Sequence, residues 1–260
     1  MRLSWKLGRV AGIDLFLHPS ALIVLFLVAG ATGGNVFNAV PFVVALFGSI
    51  VLHELGHALM ARRYGIGTRD ITLYLIGGVA RLDRMPRSAG PEMLIALAGP
   101  AVNVAIAAGL AVVIGFCRVV GLPELFWFEV LALNLGLVAF NLLPVFPMDG
   151  GRVFRALLSS WLGRPRATEV AATVGQFLAV AGGVLGVASG RWDAAILAIF
   201  VYMAAANERN QVLAESRHQA RADGLTNPPP PPVGFQWSNR GDGVWRLVPI
   251  MGRVRTWGQS

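Results

Sequence analysis

A single cysteine, Cys117, rules out an internal disulfide and any metal cluster built on cysteine. Charge is scarce as well. Only 14% of the 260 residues are Asp, Glu, Lys or Arg, where an ordinary soluble domain carries about 25%. Lysine occurs once, at Lys6, so the remaining cations are all arginines. No cleavable leader is evident, because the first apolar run begins near Ile13 and leads into further apolar runs.

What the chain does have is apolar length. Hydrophobic residues make up 55% of it and the mean hydropathy is +0.61, the composition of a membrane protein. The net charge is +8 and the pI about 11.1. A basic pI often accompanies nucleic-acid binding. Here the arginines sit mainly at the ends of apolar runs, which suits membrane topology instead. The expected partner is therefore a lipid bilayer, with no nucleic acid.

Crossing a bilayer takes about 20 apolar residues. Six candidate spans follow, at residues 16–34, 38–61, 92–116, 124–143, 168–189 and 192–207. Arg2, Lys6 and Arg9 precede the first. Arg62, Arg63, Arg69, Arg81, Arg84 and Arg87 separate the second from the third, and Arg152, Arg155, Arg164 and Arg166 separate the fourth from the fifth. The alternate loops hold only Arg118 and Arg191. The positive-inside rule then places both termini in the cytoplasm of a multi-pass cell-membrane protein.

Residues 66–82 do not read as a span. Ile, Thr, Tyr and Val with the Gly77-Gly78 pair predict a short strand or hairpin. Non-helical backbone at membrane depth survives only against protein or a water-filled cavity. The expected fold is an all-α polytopic membrane protein with about six transmembrane helices and a short membrane-re-entrant β segment. Residues 1–210 form its core, 211–232 a polar and Pro-rich linker, and 233–260 a cytoplasmic tail rich in Trp and Arg. That tail is too short for a core of its own. Trp237, Trp245, Trp257, Arg240, Arg246, Arg253 and Arg255 suit it to resting on a membrane surface.

Inside the second apolar run stands His53-Glu54-Leu55-Gly56-His57, an H-E-x-x-H pattern. On a helix, positions four apart share a face, so both imidazoles can reach one zinc ion. Glu54, next to the first histidine, is placed to act on a water molecule there. Ionisable groups within a span are rare and usually functional. A catalytic zinc takes three protein ligands, so one more is needed. Asp149 stands out, between the helix breakers Pro144 and Pro147 and the Gly150-Gly151 pair. By itself it reads as the N-cap of a helix starting near Arg152; a site one ligand short favours the ligand reading. His18, at the head of the first run, reads as a packing hydrogen-bond group, and His218 as solvent-exposed.

Four stretches now line up: "HPSALIVLFLV", "HELGHALMARRYG", "IGGVARL" with "EMLIALAGPAVNVAIA", and "FNLLPVFPMDGGRVFRALL". In order and spacing the chain resembles the site-2 protease family of intramembrane zinc metalloproteases. The resemblance implies one Zn2+ per chain held by His53, His57 and Asp149, with Glu54 as catalytic base. It implies a substrate or oxyanion role for Asn141. It also matches Gly77 and Gly78 to a re-entrant segment that receives substrate as an added strand. The implied substrate is the transmembrane segment of another protein. "LYLI" before Gly77 departs from relatives with Phe or Pro there. The polar end is about half the length of a CBS pair and no PDZ insertion is visible, so a short form is expected. An inactive relative that only holds membrane segments requires the loss of His53, Glu54, His57 or Asp149, and all four are present. A metal-binding transporter would show two related halves with broken helices, and no internal repeat appears.

Overall fold

The computed structural model describes residues 4–31, 33–75, 77–84, 86, 88–226, 230–239 and 245–249. The chain forms two compact units, Met1–Arg209 and Asn210–Ser260. The first opens with strand β1 (Trp5–Val10) and strand β2 (Ile13–Leu17), which pair antiparallel across a two-residue turn. Ala11 at φ 51° and Gly12 at φ 87° supply the left-handed backbone that so tight a hairpin needs. A 3-10 turn, Pro19–Ala21, leads into α1 (Leu22–Ala31) and then α2 (Val36–Arg63). Next come β3 (Thr68–Tyr74), β4 (Gly77–Leu82), α3 (Ala89–Val120), α4 (Leu125–Asn141), α5 (Asp149–Leu162), α6 (Arg164–Ala188) and α7 (Trp192–Thr226).

The expectation of an all-α fold is corrected here. Four strands form one sheet in the order β1-β2-β3-β4, with β2 and β3 parallel and Phe16 opposite Thr72. Residues 16 and 17 end a strand rather than begin a span. The first apolar run is thereby shortened to Pro19–Ala31. The hairpin read at residues 66–82 does form, with Ile71 opposite Ala80 and Leu73 opposite Gly78. Its outer strand, β4, is an edge of the sheet.

Among the described residues, three helices are long and apolar enough to cross a membrane: α2 with 28 residues, α3 with 32 and α6 with 25. α4, with 17, is a shorter apolar helix. Large apolar side chains point outward. Phe37 is 85% exposed, Val112 74% and Phe177 72%. A soluble monomer rarely tolerates such a surface. The buried stripe of α6 is built of small residues, Ala167, Thr168, Ala171, Ala172, Gly175, Ala179 and Gly183. This is how helices pack when lipid already satisfies their large side chains.

α3 lies against α2 with little between them. A Cβ on Gly56 would come within 2.7 Å of the Ala98 carbonyl oxygen. α5 begins against its own incoming loop, residues 142–148, because Gly151 leaves no side chain where one would meet Val145 and Phe146. Phe146, 1% exposed, anchors that loop, and the Arg155 guanidinium lies 5.0 Å from its ring centroid. Arg155 is fully buried and ion-paired to Glu92 of α3 and Glu208 of α7.

In the second unit α7 continues as helix through the polar stretch to Thr226. β5 (Phe235–Asn239) and β6 (Trp245–Pro249) then pair antiparallel, with Trp237 opposite Leu247. The tail that is too short for a core of its own thus still forms a two-stranded sheet. Arg240, Arg253, Arg255 and Trp257 lie outside the described residues, as does the side chain of His218.

Removing one partner from a buried ion pair leaves an uncompensated charge and costs about 3–5 kcal/mol. Arg155→Met is expected to lower unfolding stability by roughly that amount in detergent micelles. Adding Glu92→Leu should recover at least half of the loss. Denaturant titration of the single and double variants checks this, and equal stabilities would show that the pair is not a buried charge unit.

Candidate metal centre

His53 and His57 lie one turn apart on α2, and both face inward, 5% and 6% exposed. Their Nε2 atoms are 3.1 Å apart and the rings meet edge to face. Asp149, the first residue of α5, is buried beside them. Its Oδ2 stands 3.2 Å from His53 Nε2 and 3.0 Å from His57 Nε2. The N-cap reading of Asp149 is overturned: Met148 holds the cap position and no side chain caps this helix. The carboxylate turns to the histidines instead.

Each imidazole is held from behind. His57 Nδ1 is 2.7 Å from the Ile95 carbonyl oxygen, and His53 Nδ1 is 2.5 Å from Asn103 Oδ1. The Ile95 carbonyl can only accept, so Nδ1 of His57 donates. In neutral imidazole that leaves a lone pair on Nε2, facing the other two donors. Two imidazole nitrogens and one carboxylate oxygen form a donor set that suits zinc. Their separations of 3.0–3.2 Å approach the edge, about 3.3 Å, of a tetrahedron with arms of about 2.0 Å. The space between them is kept open by Gly99 of α3. A Cβ there would lie 2.8 Å from His53 Nε2 and collide with His57 Nε2. A metal ion therefore fits the site.

Glu54 points from α2 to the hairpin. Its Oε2 accepts a hydrogen bond from the Ala80 backbone N–H at 3.1 Å. A Cβ on Gly78 would come within 2.8 Å of both Glu54 Cγ and Ile50 Cγ2, so only glycine lets the edge strand come this close. Gly77, at φ 129°, opens β4 opposite Tyr74, with space around it. Asn141 is not drawn into the cluster. It sits at the end of α4, and its amide donates to the Leu137 carbonyl of its own helix at 3.0 Å. His18 caps the 3-10 turn: its Nδ1 is 2.8 Å from Ser20 Oγ, and Ser20 Oγ accepts from the Leu75 N–H near the hairpin tip.

Sequence reasoning missed Gly99, Asn103 and Asn134. The available signal was an amide inside an apolar run at both Asn103 and Asn134, as unusual there as the histidines themselves.

The family model of peptidase family M50 matches residues 41–124 and 118–182. The chain belongs to this family, the site-2 proteases. A zinc metalloprotease of Methanocaldococcus jannaschii is 38% identical over 220 residues, covering 83% of this chain and 63% of its own length. Rip3 of Mycobacterium tuberculosis is 33% identical over 282 residues, covering 95% of this chain and 69% of that protein. Among solved structures, the site-2 protease from Methanocaldococcus jannaschii superposes with a TM-score of 0.60 at 37% identity, covering 79% of this chain and 95% of that one. The chain thus spans a little under two thirds of the length of the first of these relatives.

Gly99→Ala puts a methyl group where the Nε2 atoms converge, while slightly improving helix propensity. Zinc content after purification should fall at least tenfold with the fold retained. Elemental analysis beside a thermal melt measures both. Full zinc occupancy in Gly99→Ala would mean that the ion sits elsewhere.

Proposed function

We propose that this protein is an intramembrane zinc endopeptidase that cuts transmembrane segments of other membrane proteins. The observation that carries the reading is the buried meeting of His53 and His57 of α2 with Asp149 of α5, beside Glu54, where α2 is long and apolar enough to cross a membrane. One zinc per chain would be held by His53 Nε2, His57 Nε2 and an Asp149 carboxylate oxygen. When bound, zinc lowers the pKa of water toward about 7 and polarises a carbonyl.

The protein's own groups do the rest. Glu54 accepts the proton of the attacking water at its carboxylate and returns it to the leaving amine. His53, His57 and Asp149 are all buried, which would shield the reacting groups from bulk solvent. The edge strand β4 offers unpaired backbone groups to a substrate unwound into an extended strand, with Gly77 and Gly78 leaving room for it. Asn141 is assigned to the substrate side, just before the loop that carries Asp149. Its amide would leave Leu137 to reach a developing oxyanion.

Topology follows the arginines. α2, α3 and α6 are taken as full-length crossings, and α1, α4 and the apolar half of α7 as shorter ones that a locally thinned bilayer accommodates, with β3–β4 dipping in beside α2. Arg62 and Arg63 end α2 and mark the cytoplasmic edge. His57 and His53 precede Arg62 by five and nine positions, so at 1.5 Å per residue the metal lies roughly 8–14 Å inside that edge. Reporter fusions should place both termini in the cytoplasm, and an external terminus would invert the orientation.

The catalytic test uses protein reconstituted in liposomes with a transmembrane reporter. Cleavage should stop with a chelator and return with zinc. Glu54→Gln should keep its zinc and lose at least about a hundredfold in rate, the lower range for general acid–base catalysis. Wild-type cleavage by Glu54→Gln would remove the carboxylate from the mechanism.

A further inference from the structure

Behind His53 runs a line of buried amides that crosses three helices. His53 Nδ1 meets Asn103 Oδ1 of α3 at 2.5 Å. Asn103 Nδ2 donates to Asn134 Oδ1 of α4 at 2.8 Å. Asn134 Nδ2 donates to the Val130 carbonyl at 2.9 Å and to Ser49 Oγ of α2 at 3.1 Å. Asn103 and Asn134 are both 0% exposed and Ser49 is 5% exposed. Among the described residues, Asn103, Asn134 and Ser49 make no hydrogen bond to Glu54, Asp149 or His57; the line reaches those groups only through the His53 ring.

We propose that Asn103 and Asn134 are positioning residues that set the tautomer of His53 and so its ability to bind metal. This rests on the reading of His53 as a zinc ligand. The line has a direction. A main-chain carbonyl can only accept, so the Val130 oxygen requires the NH2 group of Asn134. The Asn134 oxygen then faces Asn103 and requires its NH2 group. The oxygen of Asn103 is left for His53, whose Nδ1 must therefore carry the proton. Its Nε2 keeps a bare lone pair beside Asp149 and His57. If either amide turned round, an NH2 group would face Nδ1, the proton would move to Nε2, and the nitrogen at the metal position could not ligate. A metal-bound histidine commonly donates its other N–H to an acceptor, and loss of that partner costs 10–100-fold in metal affinity.

What matters at either position is an acceptor turned to the preceding group, and this separates positioning from packing. Asn103→Asp still accepts from His53, and Asn134→Asp still accepts from Asn103. Both should bind zinc within about threefold of wild type, whatever they cost in stability. Asn103→Leu and Asn134→Leu fill similar space without an acceptor and should weaken zinc about 10–100-fold. Asn103→Ala carries the same expectation should leucine not fold. The readouts are zinc affinity by chelator competition in micelles and the His53 15N chemical shifts of the zinc-free protein. The leucine and alanine variants should move the shifts toward the Nε2–H form. A packing role predicts the reverse order, with leucine tolerated and the buried aspartate worst. That order, or leucine variants at wild-type affinity with unchanged shifts, overturns the proposal. If wild-type protein itself fails to take up zinc at His53, the proposed function fails instead.

Discussion

A polar group buried among apolar helices must find a partner, because an unanswered one costs several kcal/mol where neither water nor lipid can hydrogen-bond. That constraint organises the core. His57 answers to Ile95, His53 to Asn103, Asn103 to Asn134, and Asn134 to Ser49 and Val130. Arg155 answers to Glu92 and Glu208. These links tie α2 to α3 and α4, and α5 to α3 and α7. The polar residues that a membrane protein can least afford thus join its helices, since dispersion between apolar surfaces alone gives little specificity in lipid.

Glycine does the complementary work. Gly56 brings α2 against the α3 backbone, Gly78 brings β4 against Ile50 and Glu54, and Gly99 leaves open the space where three donors meet. Gly151 lets α5 start against the loop that positions Asp149. At each point an added Cβ would collide with an imidazole of His53 or His57, with the Glu54 side chain, or with the backbone beside them. The site is assembled where four segments come closest, and its open volume is defined by side chains that are missing.

How much of this was legible in the sequence depended on locality. H-E-x-x-H has its geometry within one helical turn, so both histidines were readable and the structure places them together. The strand pattern of residues 66–82 was equally local. Asp149 was readable only because a site with two histidines lacked a ligand, and its own surroundings suggested a cap. By contrast, β2 pairs with β3 across more than fifty residues, and Ile13–Leu17 merges into an apolar run that resembles the start of a span. Nothing local separates the two. The same holds for Asn103 and Asn134, visible as polar residues in apolar runs yet silent about which partner each one meets. α7 outlasts its apolar stretch because helix propensity in its Glu, Arg, Gln and Ala residues sustains it where hydropathy ends.

Glu54 is where the two halves of the core meet. It follows His53 on α2, yet its carboxylate is held by a backbone N–H of the edge strand β4. Helix and sheet therefore share one group. A displacement of the hairpin relative to α2 would move the Ala80 amide, and the carboxylate would lose a hydrogen bond or follow it. The position of the strand and that of the Glu54 carboxylate are thus linked through one 3.1 Å contact. Anything that pairs with the free edge of β4 meets backbone whose neighbouring amide already holds that carboxylate. In the proposed reading, the surface that orders an extended substrate and the group that activates water are neighbours by construction. Gly78 is the residue that allows it, because only a bare Cα lets the strand approach the helix closely enough for Ala80 to reach Glu54.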